Sequence, residues 1–367
     1  MFDTFTPGFI EGFRQSGMEV FEADLSQNNV AQLNQALAAK PAFVFSFNGI
    51  RAALDVGGRS WHDVTGSPLV VMLLDHPLYH LDVIKEPIEN MIFLTVDKKH
   101  AKFISQDLGD KRPCYFFPHG GMCAENIPTT KEIDVMFAGS LENPLELQQK
   151  INALPKDSRK LVQGIITCMK GQSDLSIEEA ARKIAFSNND SVDPPWFYDN
   201  ATFLTLADRF VRHEKRYRVL KLLAQEGLLS AWGWGEGWRQ LKTEVRDLDF
   251  RGEASTGEIL QYMGQSKIVL NVLPGFTAGS HERVLSSLRN AAVTISDKST
   301  WLSEEFEEGK EIIFFDWDRL KDLPQQLKAL LNNTEHCQII AENGRKKAEE
   351  KHTWACRAKQ LCVSMFK

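Results

Sequence analysis

Short apolar segments recur along most of this chain, and helical segments separate them. Residues 42–48 (AFVFSFN), 68–77 (PLVVMLLDHP) and 91–97 (MIFLTVD) are three of these segments, and each ends in a polar residue or a turn. Near-continuous apolar runs of this length are typical of strands that are buried on both faces of a sheet. Strands that alternate with helices pair in parallel, and ligands bind beyond the carboxyl ends of such strands. The chain therefore predicts an α/β fold with its chemistry in the turns that follow the strands.

The alternation runs in two rounds, and a polar connector, ENIPTTKE, separates them. In the second round the apolar spacing becomes helical throughout a long stretch, which indicates a helical insertion. On the polar side of the last helical stripe lie Arg212, Lys215 and Arg216, which are interpreted as a solvated charged face. We place a domain boundary near Thr130 and expect these parts: an N-terminal domain (1–130), a C-terminal domain (131–350) with the insertion (about 145–229), and a closing helix (351–367).

The N-terminal segment carries three further local patterns. Thr6 and Pro7 read as an N-cap and a first helical residue, so a helix is expected to begin there. A short strand is expected over residues 18–24 and a helix over residues 29–39. The first domain is thus expected to begin with a helix.

Composition excludes several classes of protein. The 367 residues carry a formal net charge of −6 and no long basic run, so nucleic acid is a poor partner. No apolar run reaches the roughly 20 residues that span a bilayer, and the first residues lack the pattern of a signal peptide. The six cysteines form no CxxC pair or cluster with histidine, which favours reduced thiols over a zinc site. A cytoplasmic protein without a transmembrane segment is expected.

The segment GSHERVLSSLRNAA, residues 279–292, has the features of an anion-binding helix terminus. The first turn of a helix leaves about four backbone N–H groups unpaired and carries about half a positive charge. Ser280 is the expected cap, and Arg283 in the first turn is a bidentate donor suited to phosphate. An ordinary capped helix with an exposed arginine is the alternative for this segment.

Small residues follow three other strands of the second round. A glycine there lets a phosphate approach the backbone closely. Together these turns predict a cradle for a nucleoside diphosphate, although neither a P-loop nor a well-formed GxGxxG fingerprint is present. The turn residues are Gly139 and Ser140, then Gly233, Gly235 and Gly237, and finally Arg251 and Gly252.

The run SKIVLNVLPGFTAGSHERVLSSLRNAAVTISDKSTWLSEEFEEGKEIIFFD, followed by AENGRKKAEEKHTW, resembles the C-terminal domain of group-1-type glycosyltransferases. The similarity is greatest to their CgeB-like branch and extends from Leu248 to Arg357, with weaker support from IDVMFAGS. It implies a GT-B fold, in which two Rossmann-like domains face a cleft and the last helix crosses back to the first domain. The chain departs from that pattern at its start: the N-terminal domain of the family normally begins with a strand and a glycine-rich turn, whereas this chain starts at that turn. The first strand is therefore expected to be absent, replaced or lost to a misplaced start.

The resemblance also implies roles for particular residues in binding a nucleotide-sugar donor. Arg283 would contact the diphosphate, Glu282 would hold a hydroxyl of the ribose or sugar, and Gly139 and Ser140 would line the phosphate path. Trp234 and Arg251, beside Gly233 and Gly252, would border the base. For His281, helix capping is the alternative to a contact with the donor.

Two segments of the first domain offer candidates for the catalytic group. LLDHP ends an apolar strand with Asp75 and His76, and FPHGG places His119 before two glycines. A carboxylate or imidazole with a pKa near the working pH can remove the proton of an acceptor hydroxyl. The alternative for each histidine is a hydrogen bond to the backbone of its own turn.

These observations favour a glycosyltransferase that moves a sugar from a nucleoside-diphosphate sugar to a protein, glycan or small-molecule acceptor. No cofactor besides the donor substrate is expected. Metal independence is expected because the nearest DxD pattern, at Asp316 and Asp318, reads as a helix cap. The alternatives are a sugar-nucleotide epimerase of the same fold and a non-catalytic nucleotide-sugar-binding protein.

Overall fold

The first sheet of the protein has four strands. The computed structural model describes residues 2–22, 34–36, 38–49, 65–172, 174–187 and 191–366. The four strands pair in parallel and lie in chain order: β1 (Val44–Phe47), β2 (Leu69–Leu73), β3 (Met91–Thr95) and β4 (Cys114–Phe116).

The second sheet has six parallel strands in the order β10-β9-β8-β5-β6-β7. They are β5 (Ile133–Ala138), β6 (Leu229–Trp232), β7 (Asp249–Phe250), β8 (Ser266–Leu270), β9 (Val293–Asp297) and β10 (Ile313–Phe315). The chain winds outward from β5 through β6 to β7 and then returns to β8 on the other side of β5. The crevice between β5 and β8 is therefore the topological switch point, where such sheets bind ligands. The predicted fold class, two parallel α/β sheets with flanking helices, is confirmed.

Fourteen α-helices surround the two sheets within the described residues. Those before the second sheet are α1 (Phe2–Gln15), α2 (Leu81–Lys85) and α3 (Lys98–Lys102), the last continuing as a π-helical turn (Phe103–Asp107). Between β5 and β6 lie α4 (Pro144–Asn152), α5 (Lys156–Gly171), α6 (Ile177–Ser187) and α7 (Pro194–Gln225). The remainder are α8 (Glu236–Glu244), α9 (Thr256–Gln265), α10 (Glu282–Arg289), α11 (Thr300–Glu305), α12 (Leu323–Leu331), α13 (Thr334–Lys351) and α14 (Trp354–Phe366).

Strand β2 shows how the first sheet is covered on both faces. Because side chains alternate along a strand, Val70 and Met72 point to one face while Val71 and Leu73 point to the other. The first pair packs in a core with α1 and α14. The second pair packs in a core with the helices inserted between β5 and β6. The inserted helices therefore cover the first sheet, although in the chain they lie between two strands of the second sheet.

Helix α7 packs against both sheets. Its 32 residues give it a length of about 48 Å. Phe197 and Leu204 in its first part pack in the core of the first sheet, whereas Val219 and Leu223 in its last part pack in the core of the second. One rigid element thus runs from one sheet to the other.

The two ends of the chain pack together. A Cβ atom on Gly12 would lie 2.6 Å from the Cα of Ala355, so α1 and α14 approach closely. The ring of Trp354 lies 5.4 Å from that of Phe9, edge to face. Helix α1 begins at Phe2 and contains Pro7 in its interior, so the expected start at Thr6 is wrong.

Two other expectations concern the segment before β1. Residues 18–22 form no strand, so the expected strand over 18–24 is wrong for the part that the structure describes. The expected helix over residues 29–39 lies mostly outside the described residues, of which 34–36 and 38 are helical. Among the described residues, no helix combines the length and the apolar character needed to cross a membrane.

Candidate active site

Arg283, in the first turn of α10, lies in the crevice between β5 and β8. Its Nη1 donates a hydrogen bond of 3.0 Å to the side-chain oxygen of Asn271, the residue that follows β8. A Cβ atom on Gly139, the residue that follows β5, would lie 3.2 Å from Nη2 of Arg283. Only 8% of Arg283 is exposed, and this burial lowers the pKa of its guanidinium. The structure therefore brings together Gly139 and Arg283, as expected for the diphosphate path.

The cap of α10 is His281 rather than Ser280. His281 Nδ1 accepts a hydrogen bond of 3.3 Å from the backbone N–H of Arg283, and the helix begins at Glu282. Ser280 is fully buried, and its hydroxyl donates to the carbonyl of His281 at 3.1 Å. The expectation for Ser280 is wrong because its own backbone N–H donates to the carbonyl of Val96, which holds residue 280 outside the helix.

Glu282 presents a carboxylate at the start of α10. Burial raises the pKa of this group, but the neighbouring His281 and Arg283 outweigh that effect and lower the pKa to about 2. Glu282 is therefore ionised at neutral pH. An ionised carboxylate accepts strong hydrogen bonds, which suits it to the hydroxyls of a sugar or ribose.

The glycine turns after β5 and β6 pack against each other. The N–H of Gly139 donates to the carbonyl of Trp232, and the N–H of Leu141 donates to that of Trp234, each at 3.0 Å. A Cβ atom on Gly233 would lie 1.9 Å from the oxygen of Gly139, and its φ is +152°. Gly233 is therefore required by the packing of the two turns, which fixes the floor of the crevice.

Trp234 and Arg251, the residues expected to border the nucleotide base, differ in their surroundings. Trp234 is 60% exposed and lies beside the paired turns. Arg251 forms an ion pair of 2.7 Å with Asp249 and lies 4.8 Å from the ring of Trp232, and the carbonyl of Gly252 accepts from Gly233 at 2.9 Å. Trp234 is thus available to a ligand, whereas Arg251 already has partners within the protein.

The burial of two charged side chains of α7 was not predicted from the sequence. Lys215 and Arg216 are buried, so the interpretation as a solvated face is wrong for them. Nη1 of Arg216 donates a hydrogen bond of 2.6 Å to the carbonyl of Ser140. Burial, together with nearby Arg283 and Arg212, lowers the pKa of Arg216 to about 9. The only signal in the sequence is that apolar residues occupy several sides of this helix, which is typical of a helix buried all round.

Arg212 connects the first sheet to α7. The hydroxyl of Tyr79, in a 3-10 turn after β2, donates to Asp208 at 2.6 Å and accepts from Arg212 at 2.9 Å. Arg212 also forms an ion pair of 3.2 Å with Asp208. Asp75, which is half-buried, lies close enough for its charge to act on Arg212. The end of β2 therefore faces the charged side of α7.

Both ring nitrogens of His76 are engaged by the protein. Nδ1 accepts from the backbone N–H of Leu78, and Nε2 lies 3.1 Å from a carboxylate oxygen of Glu178 in α6. Because Nδ1 accepts, Nε2 carries the hydrogen and donates to Glu178. This geometry favours the alternative for His76, a hydrogen bond that secures its own turn.

His119 lies near His281, the cap of α10. Its ring is 6.0 Å from that of His281, and 4% of the residue is exposed. Neither ring nitrogen has a hydrogen-bond partner in the described part of the chain. Burial lowers the pKa of His119 to about 3, so the imidazole is neutral at pH 7. Arg357 of α14 holds this turn by donating to the carbonyls of Pro118 and His119, each at 2.9 Å.

A short segment before α10 joins the two sheets. Asp97, which follows β3, accepts a hydrogen bond of 2.7 Å from the N–H of Ala278 and another of 2.7 Å from that of Lys99. A Cβ atom on Gly279 would lie 2.1 Å from the carbonyl oxygen of Val96, so only glycine fits there. The start of α10 is thereby held at the border of the two sheets.

Comparison with known proteins bears on the fold and on the C-terminal part of the chain. Residues 212–363 match the family model described as glycosyl transferase-like. The structure of HepE from Anabaena in complex with UDP-glucose is 12% identical, with 95% of this chain and 85% of that chain covered and a TM-score of 0.52. A second HepE structure, with UDP and glucose, is 11% identical over 94% of this chain and 83% of that chain, with a TM-score of 0.53. The fold is therefore GT-B.

Two further comparisons complete the picture. TarM is 9% identical over 82% of this chain, with a TM-score of 0.45, and this chain spans 55% of the TarM chain. No curated protein sequence matches the chain. Residues 212–363 therefore carry a glycosyltransferase-like domain, which agrees with the predicted glycosyltransferase.

Proposed function

We propose that the protein transfers a sugar from a nucleoside diphosphate to an acceptor and binds the donor diphosphate at the N-terminus of α10. The observation that carries the proposal is the position of Arg283, which is buried at the switch point of the second sheet beside Gly139. Its hydrogen-bond partner there is the neutral amide of Asn271. A buried guanidinium and a helix N-terminus together favour a phosphate ligand.

The sugar is proposed to lie between Glu282 and His119. Glu282 is ionised, and His119 is a neutral imidazole that faces the start of α10. A pKa of about 3 makes His119 a weak base at neutral pH. Its proposed role is therefore to hydrogen-bond a sugar hydroxyl. Asp75 is the proposed acceptor-side base, since it follows the end of β2 and is half-buried there.

The nucleotide base is proposed to stack on Trp234, the exposed indole beside the phosphate turns. UDP is the first nucleotide to test, because the HepE structures, which share the fold over 94–95% of this chain, contain UDP or UDP-glucose. The CgeB-like subtype is part of the proposal and rests on the HER-containing segment of the sequence.

Metal independence is also part of the proposal. The α10 terminus and buried Arg283 can neutralise a departing diphosphate without a divalent cation. The acceptor is proposed to enter beside Asp75, and its class is left to experiment. A cytoplasmic location is proposed because all six cysteines are free thiols, as is usual in a reducing compartment.

A panel of UDP-, GDP- and dTDP-sugars, each incubated with and without a mixture of glycan and peptide acceptors, tests the function. Transfer requires an acceptor, whereas an epimerase would change the sugar without one. Binding of the donor without turnover in either condition would instead indicate a nucleotide-sugar-binding protein. Replacement of Asp75 by Asn should lower transfer about 100-fold while donor binding is retained.

A further inference from the structure

We propose that Arg216 of α7 is a second ligand of the donor diphosphate, so that the inserted helices supply part of the leaving-group site. This inference rests on the proposed function. It adds a residue from the inserted helix α7, whereas Arg283 comes from α10. In the transfer, the bond between the anomeric carbon and the diphosphate oxygen breaks and its electron pair stays on that oxygen. The acceptor oxygen bonds to the anomeric carbon, and its proton passes to Asp75.

The guanidinium groups of Arg216 and Arg283 lie near the same aromatic ring. Their guanidinium carbons lie 5.8 and 5.3 Å from the ring centre of Phe137, the residue before the end of β5. Arg283 comes from α10, whose apolar side chains pack with one face of the second sheet, and Arg216 comes from α7, which packs with the other. Two helices on opposite faces thus place one arginine each at the switch point.

Neither guanidinium forms a direct ion pair with a carboxylate in the described part of the chain, and the charges of Glu282 and Asp297 act on them only from a greater distance. No carboxylate there lies within 4.0 Å of Arg216 or Arg283, and Nε of Arg216 has no hydrogen-bond partner among those residues. Buried charges without a partner of opposite sign destabilise a protein. A ligand with two negative charges would remove this cost, and a diphosphate has that charge and several acceptor oxygens.

The neighbouring arginines of α7 provide an internal comparison. Arg209 forms an ion pair with Glu142, and Arg212 forms one with Asp208. Both therefore have a direct ion pair within the protein, although Nε of Arg212, like that of Arg216, has no hydrogen-bond partner among the described residues. Arg216 lies one turn further on and bonds only to the carbonyl of Ser140 within the described residues. Helix α7 thus pairs Arg209 and Arg212 directly with carboxylates, whereas Arg216, beside the turn after β5, has no such pair in the described part of the chain.

The test is calorimetric titration of the full chain with UDP and with UMP. Arg216→Gln should weaken UDP binding about 10- to 100-fold, which corresponds to about 1.4–2.7 kcal/mol. It should weaken UMP binding less, because UMP lacks one of the two phosphates. Arg218→Gln is the matched control, since Arg218 is exposed on the same helix, and it should leave both affinities unchanged.

Thermal unfolding separates binding from folding. Without ligand, Arg216→Gln should melt no lower than the wild type, because it removes a buried charge that has no direct ion pair in the described part of the chain. The UDP-induced rise in its melting temperature should be smaller than that of the wild type. If Arg216→Gln fails to fold, Arg216→Lys keeps the charge and should still bind UDP about 5- to 10-fold more weakly, since lysine cannot donate bidentately.

Wild-type UDP affinity in a folded Arg216 variant, combined with a loss of affinity in Arg283→Gln, would overturn this inference and leave the proposed donor site in place. If the wild type binds no nucleoside diphosphate, the proposed function itself fails.

Discussion

The carboxylate of Asp97 accepts a hydrogen bond of 2.7 Å from the backbone N–H of Ala278, and these two residues lie in segments that follow strands of different sheets. Asp97 lies two residues after β3, and Ala278 lies four residues before α10. The hydrogen bond is buried, and burial raises the pKa of Asp97 to about 6. One titratable group thus lies at the junction that holds the start of α10.

This raised pKa predicts a particular pH dependence of stability. Between about pH 4 and 6 the folded state holds a proton on Asp97 that the unfolded state has lost, so stability falls as the pH rises. The free energy of unfolding of the wild type should fall by about 1 kcal/mol, relative to Asp97→Asn, between pH 5 and pH 7. Urea unfolding at several pH values measures it. Asp134→Asn, which removes an exposed carboxylate, is the control, and parallel curves for Asp97→Asn and the wild type would contradict the prediction.

Removal of the Arg283 side chain should weaken the binding of UDP. Arg283→Ala should cost about 1.5–3 kcal/mol of binding free energy, the range for hydrogen bonds to charged groups. Calorimetry on the folded variant gives the value. Arg239→Ala, which removes an exposed side chain of α8, should bind UDP like the wild type. Equal affinities for all three proteins would place the diphosphate elsewhere.

Transfer should continue in EDTA. Arg283 and the α10 terminus supply the positive charge that a metal would otherwise provide to the leaving group. Initial rates with and without EDTA are compared after dialysis against chelator. A complete loss of turnover that manganese or magnesium restores would show that a metal is required.

His76 should matter for folding rather than for chemistry. His76→Ala leaves the buried carboxylate of Glu178 without its imidazole partner, which should cost about 2–3 kcal/mol of stability. The double variant His76→Ala/Glu178→Ala should recover part of that loss. A fall in the transfer rate of 100-fold with unchanged stability would instead return His76 to the list of catalytic candidates.

His119 should distinguish UDP-sugar from UDP. His119→Ala removes the proposed partner of a sugar hydroxyl, so the affinity for the UDP-sugar should fall about 5- to 10-fold, the effect of one hydrogen bond of about 1 kcal/mol. The affinity for UDP, which lacks the sugar, should stay unchanged. Equal losses for both ligands would mean that His119 supports the turn rather than the sugar.

Most of the fold could be predicted from the sequence because the strands are buried on both faces. The apolar runs that become β1 to β10 were all recognisable, whereas residues 18–22 were misassigned because alternation over so few residues does not require a sheet. The helices of the insertion were also recognisable, but not the sheet that they cover.

The site was only partly predictable. Gly139 and Arg283 could be found because small residues and a helix start follow strands. Arg216 could not, because its burial depends on packing between α7 and Phe137, which the sequence does not display. Ser280 was misassigned as a cap because its hydrogen bond to Val96 comes from the other sheet.

Helix α7 sets a limit on how this chain can be divided. A cut near residue 130 would leave the apolar face of β2 bare in one fragment, and Phe197 and Leu204 bare in the other. Neither piece would form a self-sufficient unit, so truncated versions should aggregate when they are expressed separately. Co-expression of the two fragments could restore a soluble complex, since each supplies the surface that the other lacks.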